Sequence, residues 1–266
     1  MSKQSGVARF LATAAVTAML AASLGGCQTM SDVTGALTAK ADPAPDADPQ
    51  RIIDYYGERY RANPKDIDAA LAYGQALRAN GQRAQAAAVL EQACIANPGN
   101  KPLLAGWGRA LADNGNFQQA FDVLSSAHTP ENPDWRILSV QGTTLDQLGR
   151  HDEARRYYAS ALKIVPDEPQ VLSNIGLSYL LSKDLPLAEE TLRKARERAP
   201  ADMRVRTNLA VVVGLQGRQS EAETIMKADL SPEEGTANVA ALKRLLARKE
   251  AVRSEKIPVA TSKHAD

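Results

Sequence analysis

The chain has few of the residues that build covalent or metal-centred sites. Two cysteines cannot form a disulfide framework, and three histidines leave little for a metal centre. Aromatic residues make up 5% of the sequence, which argues against a β-sheet protein, whereas abundant alanine favours close-packed helices. The formal net charge of +1 provides no strongly basic surface for nucleic acid. A hydrophobic content of 44% over 266 residues nevertheless allows a sizeable core.

The first residues have the features of a cleavable export signal. After two basic residues comes an apolar run of fifteen residues, 10–24, which is shorter than the roughly 20 residues that span a bilayer. The sequence LGGC at 24–27 resembles a bacterial lipobox, which directs attachment of diacylglycerol to the cysteine thiol before cleavage. We therefore expect residues 1–26 to be removed as a lipoprotein signal peptide. Cys27 then becomes the N-terminus and carries diacylglycerol and an N-acyl chain, with no other cofactor. The alternative is an ordinary secretory signal with an incidental cysteine.

The residue after the cysteine indicates the destination. In lipoproteins of this kind an aspartate at that place usually retains the protein at the inner membrane. Gln28 instead implies lipid anchoring at the periplasmic face of the outer membrane of a Gram-negative bacterium. Residues 27–49 are rich in Ala, Asp, Thr and Pro and lack an apolar stripe, which is typical of a flexible tether.

Beyond this tether the sequence repeats with a period of thirty-four residues. Turn residues recur in one phase, an alanine follows each of them five places later, and a small residue precedes each by seven places. The turn residues are Gly81, Gly115, Gly149, Lys183 and Gly217, and the preceding small residues are Gly74, Gly108, Gly142, Gly176 and Ala210. This is the tetratricopeptide repeat pattern. Its small residues let the two helices of a hairpin approach closely, and a proline ends the second helix in most units.

These repeats predict an all-α protein. We expect a tetratricopeptide-repeat (TPR) right-handed α-solenoid with about five helix hairpins over residues 67–236. The terminal repeats of a solenoid have an uncovered apolar face and therefore need caps. Residues 50–66 are interpreted as an N-terminal capping helix, and residues 237–253 as a C-terminal capping helix with apolar side chains on one face. Residues 254–266 are expected to be a disordered tail.

No constellation of residues points to catalysis. His128, His151 and His264 fall in a repeat end, a turn and the tail, without metal-ligand spacing. The stretch RHDEA at 150–154 is compatible with a general acid, but in the repeat phase its two carboxylates begin a helix, where they favour the positive N-terminus. Cys94 is interpreted as a small buried residue on a helix. The protein is therefore predicted not to be an enzyme and to bind neither a metal nor a small-molecule substrate.

The function that remains is recognition of a protein partner. The expected binding surface is the concave surface, which the first helices of the units line. The candidate protein-binding residues are Arg109, Arg136, Asn174, Leu177, Arg204, Asn208 and Val211. The asparagines share one inward phase, and their amides both donate to and accept from a peptide main chain. The arginines suit carboxylates. The alternative for each is an ordinary solvated polar residue. The apolar residues between 177 and 215 form either a partner groove or the seat of the terminal helix, and the terminal helix is favoured.

Several stretches of the sequence resemble those of a known protein family. The stretches DWRILSVQGTTLDQLGRHDEARRYYASALKIVP, VLSNIGLSYLLSKDLPLAEETLRKA and VAALKRLL, behind a lipobox and an acidic proline tether, closely resemble the TadD family. These are TPR lipoproteins of the tight adherence (Flp pilus) apparatus. The resemblance implies a role in assembling the outer-membrane secretin channel through which Flp pilin is exported. By analogy with other repeat-containing pilot lipoproteins, it also implies binding to secretin subunits or other pilus-assembly proteins.

Two other functions fit the same sequence features. One is a lipidated TPR adaptor for periplasmic cell-wall hydrolases or proteases. The other is a static structural component of the pilus machine that never acts as a pilot.

Overall fold

The protein is all-helical over the residues that the computed structural model describes, 48–228 and 230–255. The predicted signal peptide and lipid attachment site, most of the predicted tether, and residues 256–266 of the predicted tail lie outside these residues. The described part contains twelve α-helices and no strand apart from one isolated bridge. The helices are α1 (Pro49–Ala62), α2 (Ile67–Ala79), α3 (Arg83–Ala96), α4 (Lys101–Asp113), α5 (Phe117–Ser125), α6 (Trp135–Gln147), α7 (His151–Ile164), α8 (Pro169–Leu181), α9 (Leu185–Arg198), α10 (Met203–Leu215), α11 (Gln219–Lys227) and α12 (Pro232–Glu255).

Five helix hairpins stack as a solenoid, which confirms the predicted fold class. The hairpins are α2–α3, α4–α5, α6–α7, α8–α9 and α10–α11, here called units 1 to 5. Each first helix has thirteen residues and begins thirty-four residues after the previous one. Each first helix also contacts the first helix of the next unit. The first helices therefore form a continuous surface along the molecule.

Short polar side chains define where these first helices begin. Asp66, Asn100, Asp134, Glu168 and Asp202 each accept a hydrogen bond from a backbone N–H of the first turn. Such caps satisfy donors that a helix start leaves without an intrahelical partner. Because the caps recur every thirty-four residues, the first helices begin at equivalent places in every unit.

The inside of each hairpin depends on one close approach. A β-carbon built on Gly74, Gly108, Gly142 or Gly176 would lie 2.4–2.6 Å from a side chain of the second helix, sixteen residues later in the chain. The partner is a leucine in three units and Tyr158 in unit 3. The alanines that follow the turns are fully buried at the same interface. The repeated small residues thus set the distance between the two helices of each unit.

Both ends of the stack are covered by a helix. Ile53 of α1 packs in the same apolar cluster as Tyr73 and Leu77 of α2. At the other end, Val239 and Leu242 of α12 pack with residues of α10 and α11. The N-terminal helix ends earlier than the sequence predicted, at Ala62.

The C-terminal helix is longer than predicted at both ends. It begins at Pro232, not at residue 237, and it extends through Glu255, past the predicted start of the tail. The early start has a local cause: Ser231 Oγ accepts from the Glu234 N–H at 3.3 Å, while the Glu234 carboxylate accepts from the Ser231 N–H at 3.2 Å. This reciprocal pair is a capping box. The sequence signal, Ser-Pro-Glu-Glu, was therefore present at the residues where the helix begins.

We expect Gly142→Ala to destabilise the protein, because its new methyl group would overlap the Tyr158 ring in a packed interface. The expected loss is about 1–3 kcal/mol, seen as a lower thermal midpoint in circular dichroism. Gly235→Ala is the matched control, since its nearest neighbour is the flexible Lys227 Cγ at 3.2 Å. Alanine is a better helix former than glycine, so the control midpoint should stay or rise. Equal losses in both variants would contradict the close-approach argument.

Candidate protein-binding groove

The first helices of units 1 to 3 line an open cavity. It measures about 530 Å³ and is lined by α2, α4, the start of α6 and the loop that precedes α6. Its charged lining residues are Arg78, Lys101, Arg109 and Asp134. Arg136 follows the Asp134 cap on α6 and interacts electrostatically with Arg109. We call this cavity with Arg136 the arginine groove.

Three arginines from three different helices converge on this groove. Arg78 donates from Nε to Asp113 Oδ2 at 2.6 Å, which ties the end of α2 to the end of α4. Arg136 is exposed, with its guanidinium 4.6 Å from the ring centroid of the neighbouring Trp135. Each of these two groups therefore has a partner that holds its position.

Arg109 lies between them and is the least satisfied of the three. Its side chain is half-buried, and no described residue accepts a hydrogen bond from its guanidinium. Burial lowers the pKa of Arg109 most, and the nearby charges of Arg78 and Arg136 lower it further, while Asp134 opposes the shift. A guanidinium offers five donors in a planar fork that matches a carboxylate. An incoming carboxylate would therefore relieve both the missing hydrogen bonds and the repulsion.

A hydrogen-bonded loop closes one side of the groove. Lys101 Nζ donates to the Ser126 carbonyl oxygen at 2.6 Å, and His128 Nε2 lies 3.2 Å from Gln141 Oε1. Gln141 Nε2 donates in turn to Ser125 Oγ at 3.0 Å. These bonds hold the α5–α6 loop against α4 and α6. His128 thus helps to hold this loop beside the groove.

The two candidate asparagines connect neighbouring units. Asn174 Nδ2 donates to Ser139 Oγ, and Asn208 Nδ2 donates to Ser173 Oγ, each at 3.0 Å. Both serines are buried and belong to the preceding unit, so the pairs repeat the same geometry one unit apart. Each amide retains its oxygen and a second N–H. The asparagines therefore keep one acceptor and one donor with which to meet a peptide main chain.

The remaining candidates lie elsewhere. Arg204 is exposed on α10 and pairs with Asp202 at 3.5 Å, so the structure does not bring it to the arginine groove. Leu177 is half-buried on α8. Val211 is only 7% exposed and packs in the same cluster as Val239 and Leu242 of α12. Val211 is therefore corrected from a partner contact to part of the seat of the terminal helix, the interpretation that the sequence favoured for this stretch.

Arg78 and Lys101 were missed by sequence reasoning. Arg78 occupies the last turn of α2, and the residues thirty-four and sixty-eight places later are Ala112 and Asp146. No repeating series marks this place as basic. Only the approach of α2 to α4 reveals that Arg78 and Arg109 share a site.

A second polar cluster is buried between units 3 and 4. Asp146 is 6% exposed and accepts hydrogen bonds from the Tyr158 hydroxyl at 2.9 Å and from Ser178 Oγ at 2.7 Å. His151 Nδ1 lies 2.9 Å from the same carboxylate. Burial, together with the adjacent Asp146 charge, raises the pKa of the Tyr158 phenol well above its usual range.

This cluster has the residue types of a catalytic triad without the arrangement. The Ser178 hydroxyl is fully buried and donates to the carboxylate, whereas a nucleophile must contact the imidazole. The cluster instead joins α6 to α7 and α8. Among all the described residues, no group of three or more His, Cys, Asp or Glu residues is arranged to hold a metal ion. None of the described helices is long and apolar enough to cross a membrane.

We expect Asp146→Ala to destabilise the fold by about 2–4 kcal/mol, because it leaves the Tyr158 and Ser178 hydroxyls buried without their acceptor. The thermal midpoint should fall by about 5–10 °C. The matched control is Asp152→Ala, which removes an exposed ion pair with Arg155 and should change the midpoint by about 1 °C or less. A midpoint for Asp146→Ala equal to that of the control would show that the cluster does not stabilise the stack.

Comparison with known proteins agrees with this architecture. The sequence profile of the tetratricopeptide repeat matches residues 71–134, 105–169 and 139–202. No curated protein matches the chain in sequence. The profile covers units 1 to 4 and stops at the start of unit 5, where Ala210 stands in place of the glycine.

Three solved structures are similar in fold. A chain of the APC/C hetero-tetramer Cut9–Hcn1 shares 16% identity with a TM-score of 0.61, and the match covers 77% of this chain and 40% of that one. A tetratricopeptide repeat protein from Parabacteroides merdae shares 15% identity with a TM-score of 0.59, covering 76% and 80%. PilW, a widely conserved type IV pilus biogenesis factor, shares 17% identity with a TM-score of 0.60, covering 71% and 90%. At these identities the similarity shows the solenoid fold alone.

Proposed function

We propose that this chain, a tetratricopeptide-repeat protein, is a lipid-anchored adaptor that binds protein partners during assembly of the tight adherence (Flp) pilus secretion apparatus. Its expected place is the periplasmic face of the outer membrane, where it would act as a pilot-like factor for secretin subunits. TPR solenoids bind other proteins through the surface of their stacked helices. The pilus assignment is supported by the resemblance of residues 134–166 and 171–195 to the TadD family.

The proposal of a binding function depends mainly on the environment of Arg109. Its guanidinium is half-buried in a cavity, makes no hydrogen bond to a described residue and is flanked by two further arginines, so its donors are open to a ligand. A carboxylate from a partner, either an acidic side chain or a chain terminus, would accept two of its hydrogen bonds. The groove therefore favours a partner segment that carries negative charge.

The asparagines extend this site along the stack. Neighbouring packed helices lie about 8–10 Å apart, so the path from Arg109 in unit 2 to Asn208 in unit 5 covers about 24–30 Å of surface. An extended segment of about eight residues spans this distance. One partner segment would thus place a carboxylate at the arginine groove and its main chain against Asn174 and Asn208. The lipid on Cys27 would hold this complex at the membrane where the channel is built.

We expect Arg109→Gln to weaken partner binding by about tenfold or more, because it removes the charge that a desolvated carboxylate would meet. Crosslinking combined with mass spectrometry, on cells carrying the anchored protein, identifies the partner and measures the loss of crosslinked peptides. Arg204→Gln is the matched control, since that side chain is exposed and lies on α10. Loss of the same crosslinks in both variants, or in neither, would rule out the groove as the binding site. Crosslinks dominated by cell-wall enzymes would favour the hydrolase adaptor instead.

The lipid anchor is tested separately by Cys27→Ser. Without acyl chains the adaptor should be released from the membrane, and secretin multimers in the outer membrane should decrease several-fold. Fractionation followed by detection of denaturant-resistant multimers measures this. Cys94→Ser is the control, because it removes the other cysteine and leaves the anchor intact. Normal multimers in the Cys27→Ser strain would exclude the pilot mechanism and favour the static component.

A further inference from the structure

A second cavity lies at the N-terminal end of the described stack, beside the arginine groove. It measures about 450 Å³ and lies between α1 and α2. Volumes of about 300–1,000 Å³ are typical of pockets that bind ligands. In contrast with the arginine groove, none of the described residues that line this cavity is charged. Most of its lining residues are apolar, and they include Ile52 and Tyr56 of α1 and Ala72, Ala76 and Ala79 of α2.

The cavity lies where the first helix of a unit would cover α1. Both α1 and α3 have fourteen residues, and α1 begins thirty-four residues before α3, so α1 has the phase of a second helix. Ile52 and Tyr56 therefore correspond to Ala86 and Leu90 of α3. In unit 1, α2 covers Ala86 and Leu90, which are 0% and 1% exposed. Ile52 and Tyr56 are only half-buried and line the cavity.

The side chains of α1 at this place are too large for another helix to pack closely. Ile52 occupies the phase in which all five units have a fully buried alanine. Extra methyl groups in such a packed interface force the helices apart. The ring of Tyr56 is held edge to face by Tyr55, with 5.1 Å between the ring centroids. A side chain that projects from an extended segment needs no close approach of two helices, so the cavity suits such a segment better than a helix.

The opposite wall of the cavity consists of small residues on one face of α2. Ala72, Ala76 and Ala79 are four and three residues apart, so they lie on the same side of this helix. Ala76 corresponds to Ala110 of α4, which is fully buried, whereas Ala76 is half-buried beside the cavity. An apolar side chain that enters here would remove these methyl groups and the Ile52 side chain from water, which is favourable.

The cavity and the arginine groove share one residue. Gln75 lines both, and it occupies on α2 the place that Arg109 occupies on α4, thirty-four residues later. Neighbouring packed helices lie about 8–10 Å apart, and an extended chain advances about 3.3 Å per residue. About three residues of an extended segment therefore separate a group at Arg109 from a group in the cavity.

The charge of the arginine groove restricts which apolar segments fit. Its four cationic side chains stand against the carboxylates of Asp113 and Asp134, which leaves an excess of two positive charges. A segment with an acidic side chain is attracted to this site, whereas a segment with a basic side chain is repelled. The two adjacent sites therefore select an apolar residue and an acidic residue on the same segment.

We infer that the partner segment carries a large apolar side chain about three residues from the acidic side chain that meets Arg109, and that this apolar side chain occupies the cavity between α1 and α2. The inference rests on the proposed function for the carboxylate contact and adds a second anchor to it. The segment continues from the groove to Asn174 on one side and to the cavity on the other, so its carboxylate belongs to a side chain, not to a chain terminus. A few buried anchors provide most of the affinity of such interfaces.

The preference is tested by selection from a display library of random peptides on the whole mature chain, with Cys27→Ser to keep it in solution. About twelve residues per peptide reach from the cavity to Asn208. Selected peptides should be enriched several-fold in Asp or Glu, and in a large apolar residue three places away. Ala76→Leu fills the cavity and should abolish the apolar enrichment while the acidic enrichment remains. Ala88→Leu, the same change at an exposed position of α3, is the matched control and should preserve both.

The outcomes of this selection separate the inference from the proposed function. An acidic enrichment without the apolar one, or an apolar enrichment that Ala76→Leu leaves unchanged, overturns the inference and retains the proposed function. Arg109→Gln should abolish the acidic enrichment. Absence of acidic enrichment in the parent contradicts the proposed function and the inference together.

A second measurement makes the test independent of how well one filling variant folds. The peptide most enriched on the parent is labelled with fluorescein, and its apolar residue is replaced with serine in a second peptide. Fluorescence anisotropy should show that the parent binds the serine peptide about tenfold more weakly. Ala72→Leu, which fills the cavity from the neighbouring turn of α2, should bind the two peptides equally at an unchanged thermal midpoint. Equal affinity of the two peptides for the parent, or an undiminished difference in Ala72→Leu, overturns the inference.

Discussion

In units 1 to 4 the solenoid depends on the contact between a glycine of the first helix and a large side chain of the second helix, sixteen residues later. With only a hydrogen at Gly74, Gly108, Gly142 and Gly176, the second helix can bring a leucine or tyrosine against the backbone of the first. Glycine in a helix costs about 1 kcal/mol relative to alanine, and the packing gained must exceed that cost. This contact repeats every thirty-four residues in units 1 to 4, so these hairpins share the same close approach and can stack.

The contact differs in unit 3, in the middle of the stack. In unit 3 the large side chain is Tyr158, whose hydroxyl needs a hydrogen-bond partner when buried. Asp146 provides it and also binds Ser178 of unit 4. A tyrosine at the packing position therefore brings a carboxylate into the interior, and that carboxylate links two units. The buried polar cluster therefore follows from the presence of a tyrosine, in place of a leucine, at this packing position.

The groove arises from stacking in the same way. Arg78, Arg109 and Arg136 come from three units and meet because consecutive first helices lie side by side. Two of them have partners of their own, whereas Arg109 is half-buried without an acceptor. A positively charged group that lines a cavity and has no protein acceptor is a feature that favours binding.

The sequence by itself determined the fold, because a hairpin repeat records its packing in small residues, turns and caps at a constant period. It also placed Asn174 and Asn208 in one phase of consecutive units, whereas their hydrogen bonds to Ser139 and Ser173 were not predicted. The tertiary structure decided the rest of the site. Arg78 has no counterpart in later units, so only the approach of α2 to α4 places it beside Arg109. Val211 has an apolar side chain that suits a groove or a core equally well, and only the tertiary structure places it in the cluster that also contains Val239 and Leu242 of α12. A period describes what every unit shares, whereas the binding surface consists of side chains in which the units differ.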